Sequence, residues 1–280
     1  MNIKSLIFSM LIVAAIFTGC KKDETTQSPY ETADAGKGGI LYDNFFTVEA
    51  GWDTTSASTT TLKAKADFFR CKQCHAWDLL GTAGSYNNRG PKASRPNVNA
   101  LNIYDLAHTK TAQELFDAMK KTEGRRAFSY DLGTYDPATN ATEGDKMPDY
   151  SALLTDAQIW DLVKFMKEGA IDVSNLYDAT YTGTYPTGST TYANLGKDGN
   201  AAAGNTFFAA NCAACHGTDG ALILVEDMTV GKFTRKKPNE VHHKVKYGQL
   251  GSLMLGNFTM TEANMKDLYK ALSDETNFPN

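Results

Sequence analysis

The feature that most constrains this chain is a five-residue pattern that occurs twice, as Cys71-Lys72-Gln73-Cys74-His75 and as Cys212-Ala213-Ala214-Cys215-His216. C-x-x-C-H is the spacing at which two thiols add across the two vinyl groups of a haem while the adjoining imidazole turns to the iron. Two copies predict two covalently bound haems c, held through Cys71, Cys74, Cys212 and Cys215, with His75 and His216 as iron ligands. Three other uses of such pairs compete. A zinc site needs its C-x-x-C elements closer together than these two lie, without an attached His on each. A thioredoxin-like dithiol follows a strand in a βαβ frame, and neither run has that pattern. A disulfide within C-x-x-C closes too short a loop to stabilise much.

The first nineteen residues read as an export signal. Lys4 is a short basic head, and the apolar run from Leu6 to Phe17 is too short for a comfortable membrane span. It ends in Phe17-Thr18-Gly19-Cys20, which resembles the bacterial lipoprotein box and implies a lipid on Cys20. Lys21, Lys22, Asp23 and Glu24 follow; a Lys directly after the Cys resembles lipoproteins sent to the outer membrane, and the Lys-Asp-Glu run resembles a surface-export tag. The expected location is the cell envelope, on the periplasmic or surface face of the outer membrane. All five cysteines then have an assignment, one lipid and two haem pairs. Losing Lys4 with the signal takes the net charge from −4 to −5, and no basic bias points to nucleic acid.

Along the mature chain the expected organisation is a lipid anchor and extended spacer over 20–61, a domain over 62–170, a linker over 171–195 and a second domain over 196–280. Residues 21–38 are polar with Pro29 and a glycine cluster, so they read as flexible. Tyr42, Phe45, Phe46 and Trp52 suggest that 40–52 packs on the first domain. The composition of 54–61 is that of a loop. Helices are predicted from Leu62 to His75, from Thr111 to Lys121 with Thr111 and Glu114 as a capping box, and from Thr155 to Glu168, ended by Gly169. Residues 77–99 and 124–146 read as loops, and 171–199, rich in Thr, Tyr and Gly, as an irregular connection. The second half repeats the plan with helices before His216, from Pro238 to about Tyr247 and from Thr261 to Leu272.

The order helix, C-x-x-C-H, loops, Met147-Pro148, closing amphipathic helix resembles a class I c-type cytochrome domain, and the second half resembles it again. The resemblance implies a mainly α fold of two cytochrome c-like helical domains. It also implies a thioether as second axial ligand, which falls on Met147 and Met254; Met260 aligns with Leu154 and reads as core. The closing-helix pattern appears as Leu162 and Phe165, and as Leu268 with Ala271 where an aromatic is usual. The first-helix glycine and aromatic appear as Gly204 and Phe208 but are replaced by Lys63 and Asp67 ahead of Cys71. In this family the ligand imidazole donates to a backbone carbonyl, for which Pro91 is placed in the first domain and nothing in the second. His108, His242 and His243 are the remaining histidines.

Iron closed by imidazole and thioether carries single electrons and leaves no position for a substrate. The expected function is a dihaem cytochrome lipoprotein relaying electrons between redox proteins or a membrane redox complex in the cell envelope. The alternative is a dihaem oxidoreductase of thiosulfate dehydrogenase or peroxidase type with one catalytic haem, and a third reading is a docking subunit. Whether the chain is itself an enzyme stays open on sequence. Lys232, Arg235, Lys236, Lys237, Lys244 and Lys246 suggest either a basic rim for an acidic partner or an ordinary solvated face.

Overall fold

The structure is a computed structural model and describes residues 27–91, 101–126 and 147–280. The expected signal segment, Cys20 and parts of the two long loops lie outside these residues. Helix α1 spans Ala35–Asn44 and opens on Asp34, whose carboxylate accepts from the Gly36 and Lys37 amides. Helix α2, Ala57–Ala64, is capped by Ser56, and a turn at Ala66–Phe69 leads into α3, Cys71–His75. Helices α4, Ile103–Thr109, and α5, Ala112–Lys120, follow; α5 begins with the predicted reciprocal cap between Thr111 and Glu114. Helix α6, Asp156–Lys164, has the same cap from Thr155 and Gln158 and runs on as a π turn over Phe165–Gly169. Strands β1, Asp178–Thr182, and β2, Ser189–Ala193, pair antiparallel with Thr180 opposite Thr191. Then come α7, Ala201–Asn211, a turn at Ala213–His216, α8, Val230–Lys236, α9, Pro238–Tyr247, and α10, Glu262–Leu272. The fold is mainly α, and among the described residues no helix is long and apolar enough to cross a membrane.

Two helix crossings set the architecture. Helix α7 packs on α10 at Gly204, where a Cβ would run into the Asp267 carbonyl. Helix α1 packs on α6 at Gly38, where a Cβ would run into the Asp161 carbonyl. Four residues on, one turn along the same face, stand Phe208 and Tyr42, both fully buried. The glycine and aromatic sought at Lys63 and Asp67 therefore sit at Gly38 and Tyr42. The helix that carries them ends well upstream, and residues 45–70 intervene before Cys71. This corrects two expectations. Residues 29–44, read as spacer, form a turn and the first packed helix, and the glycines that looked like flexibility serve close approach.

Each crossing anchors a core. The first gathers Phe45, Phe46, Leu62, Phe69, Ile159, Val163 and Phe165, and the second Leu176, Phe208, Met260, Met265, Leu268 and Tyr269. Tyr269 is fully buried in this core, and its hydroxyl donates to the Pro238 carbonyl at 2.6 Å. Helix α9 belongs to both. Val241 and Val245 pack in the second core, while Tyr247 fills the first, its ring over Gly39 and its hydroxyl donating to the Gly169 carbonyl at 2.6 Å.

The connection expected to be irregular is the β1–β2 hairpin. Asn87 donates to the Ser189 carbonyl at 2.8 Å and to the Thr182 carbonyl at 3.3 Å, and accepts from Thr190 at 3.0 Å. From the other side Tyr192 donates to Asn239 of α9 at 3.0 Å. The hairpin thus fastens the loop behind the first motif to the second domain.

Candidate haem centres

At the first motif, α3 carries Cys71 buried and Cys74 and His75 partly covered. Burial pushes the Cys71 thiol up to about 12, against a hydrogen bond that lies 3.8 Å from the Tyr150 hydroxyl. Tyr150 also donates to the Phe69 carbonyl at 2.7 Å, so the residue three past Met147 is tied to the turn entering the motif. Arg126 and Met147 are linked by a backbone bond of 3.0 Å, and the Asp149 amide returns to the Arg126 carbonyl at 2.9 Å. Burial, then the charge of neighbouring Arg125, hold the His75 imidazole down to about 4. The Met147 segment and His75 therefore share one neighbourhood. The Nδ1 of His75 is buried without a hydrogen-bond partner, so the Pro91 carbonyl does not take the place the family pattern offered it.

An ion cluster that sequence did not suggest backs this motif. Asp43 of α1 pairs with Arg70 and, at 2.8 Å, with Lys72, and all of Asp43 and Lys72 is buried. Burial works to raise the Asp43 carboxyl, but Lys72 and Arg70 outweigh it and hold it below its ordinary value. Burial brings Lys72 down to about 8.

At the second motif the imidazole is fixed. The Nδ1 of His216 lies 2.7 Å from the Ile223 carbonyl, which makes Nδ1 the protonated nitrogen and leaves the Nε2 lone pair free for a metal. No residue type marks such a carbonyl, so no sequence signal could have found it. Met254 follows α9 through Gly248, and its carbonyl accepts from Gln249 at 3.0 Å. It is half-buried between Leu253 and Leu255, which are 97% and 86% exposed. Met260 lies in the core, as its alignment with Leu154 implied.

The remaining histidines do other work. His108 is exposed beside the Tyr104 carbonyl, and His242 and His243 are buried between the domains. The basic rim is largely consumed. Arg235 binds the Leu272 and Phe278 carbonyls, Lys237 pairs with Glu226, Lys246 donates to Gly169, and Lys244 is buried.

The residues fit a haem at each motif. The four described cysteines are free thiols, and no three His, Cys, Asp or Glu side chains converge on a metal site among the described residues. Beside His216 the side chains of Leu222, Ile223 and Leu224 expose apolar surface that a porphyrin face would cover. The carbonyl-fixed imidazole at His216 presents the ligand chemistry expected, whereas His75, its Nδ1 buried without a partner, lacks that orienting bond.

Comparison with known proteins agrees. Residues 62–170 match the cytochrome c family model, and residues 199–270 match the model described as cytochrome c oxidase, cbb3-type, subunit III. No curated protein and no solved structure matches the chain. The cytochrome c match begins at residue 62, so α1, which supplies the first crossing helix, lies upstream of it. With a C-x-x-C-H turn, a glycine-mediated helix crossing and a family match in each half, the chain carries two c-type cytochrome domains in tandem, whose chemistry is haem-based electron transfer on covalently bound haem c.

Proposed function

We propose that the chain holds two haems c and relays single electrons between redox partners in the cell envelope, tethered through a lipid on Cys20. Cys71 and Cys74 fasten the first haem, with His75 and Met147 as iron ligands; Cys212 and Cys215 fasten the second, with His216 and Met254. Haem iron closed on both faces changes oxidation state with little rearrangement and offers no open position to a substrate. The chain's part is to hold that closure. The Ile223 carbonyl keeps His216 in the tautomer that can ligate, and the segment that follows α9 carries Met254.

The observation that carries the reading is the His216 to Ile223 bond, because it readies the imidazole of a C-x-x-C-H turn to ligate iron. The name of the family matched by residues 199–270 supports a membrane redox complex as one partner. Mass spectrometry after acid and organic-solvent denaturation tests the count: polypeptide plus two haems is expected, and bare polypeptide sinks the proposal. Carbon monoxide added to the reduced protein tests the closure. An unchanged spectrum is expected, and ready binding at one haem would favour an oxidoreductase instead.

A further inference from the structure

Haem attachment leaves unused the two adjacent histidines of α9. His242 and His243 are 4% and 1% exposed, lie between the domains, and keep Nδ1 and Nε2, respectively, buried without a partner. Such groups cost stability that apolar side chains of similar size would not. Their placement gives them a use. Trp77 stands two residues past His75, and its carbonyl accepts from Nε2 of His242 at 3.1 Å. Its indole packs on the His243 ring, centroid to centroid 4.7 Å, and His243 in turn lies 4.7 Å from the Tyr247 ring. The same helix sets Val241 and Val245 into the second core, and the chain leaves it at Gly248 on the way to Met254.

The contact is also held still. Tyr42 donates to the Ala76 carbonyl at 2.5 Å, Tyr247 and Lys246 both reach the Gly169 carbonyl, and the hairpin ties Asn87 to Asn239. The His243 ring packs against the rings of Tyr42, Trp77, Phe165 and Tyr247, so the residue behind the first motif and α9 meet through packed side chains.

We infer that this junction is the passage for electrons between the two centres: the Trp77–His242 hydrogen bond and the Trp77–His243 ring contact couple them and fix their separation. The inference rests on the two-haem reading above. One electron leaves the ferrous iron of one centre and reduces the ferric iron of the other; no bond breaks and no proton moves. His242 and His243 are positioning residues, acting through Trp77 and α9.

The test uses the full chain, after its mass has established two haems, so that failure of the two-haem reading appears first and separately. In half-reduced protein, the paramagnetically shifted haem methyl resonances average when electrons exchange quickly and separate when they do not. Averaging independent of protein concentration is expected of the natural chain. His242→Leu removes the donor to Trp77 and loses the averaging; His242→Gln, whose amide can donate to the same carbonyl, restores it. Both variants keep the two midpoint potentials, and amide hydrogen exchange shows α9 still protected. Averaging retained in His242→Leu with α9 protected overturns the inference. Should that variant fail to fold, the natural chain decides alone: an exchange rate that rises with concentration is transfer between molecules and overturns it equally.

Discussion

Asp43 shows what a single side chain controls here. It neutralises Arg70 and Lys72 in a site with almost no water, so Asp43→Asn leaves two cations facing each other without their carboxylate. A loss of about 3 kcal/mol is expected, measured by urea denaturation, because breaking a buried ion pair from one side exposes its desolvation cost. The loss should shrink above pH 8, where Lys72, already brought down to about 8 by burial, can shed its proton. At the haem centres, Met147→Ala and Met254→Ala should each abolish one sulfur-to-iron absorption band; an unchanged spectrum in either removes that methionine as a ligand. These two predictions differ in how far sequence could reach. The haem residues were legible because contiguous residues define the chemistry. The Asp43 cluster joins residues from α1 and the motif, and the Ile223 carbonyl has no identity in sequence at all.

Among elements, the two glycine crossings carry the fold. Gly38→Val and Gly204→Val place a branched side chain against a partner backbone carbonyl, so each should destabilise by about 3 kcal/mol, the upper end for overpacking, and should lower the thermal midpoint. Equivalent losses in both variants would establish that the crossings are equivalent. Helix α1 escaped the sequence reading for a physical reason: each interior glycine lowers helix propensity by about 1 kcal/mol, which a composition-based reading registers as flexibility. Packing on α6 offsets that cost, and packing is invisible until the partner is known. The hairpin was more legible than the reading allowed. Its strands, Asp178–Thr182 and Ser189–Ala193, alternate exposed and half-buried residues and are rich in Thr and Tyr, a strand signal that carries no helical apolar period.

The molecule as a whole depends on acidity through its junction. Burial pushes His242 down to about 4, and burial also drives His243 well below its ordinary value. Unfolding returns both to about 6.5, so the unfolded chain binds more protons in between. Stability is complete above about pH 6.5, falls on acidification, and by about pH 4 has lost roughly 3 kcal/mol through His242 alone. Denaturation followed across this range should show the decline, and His242→Gln should make it shallower, leaving the part that His243 contributes. A flat profile in the natural chain would contradict the buried neutral state of this ring.

Tyr247 has a consequence in time. Its ring completes a core otherwise built from residues 30–170, yet it is made 78 residues after that core's last helix ends at Gly169. At a synthesis rate of about 5–20 residues per second, the earlier half waits roughly 4–15 s for its final wall. During that interval the first core lies open at Gly39 and Gly169, the side that Tyr247 will close.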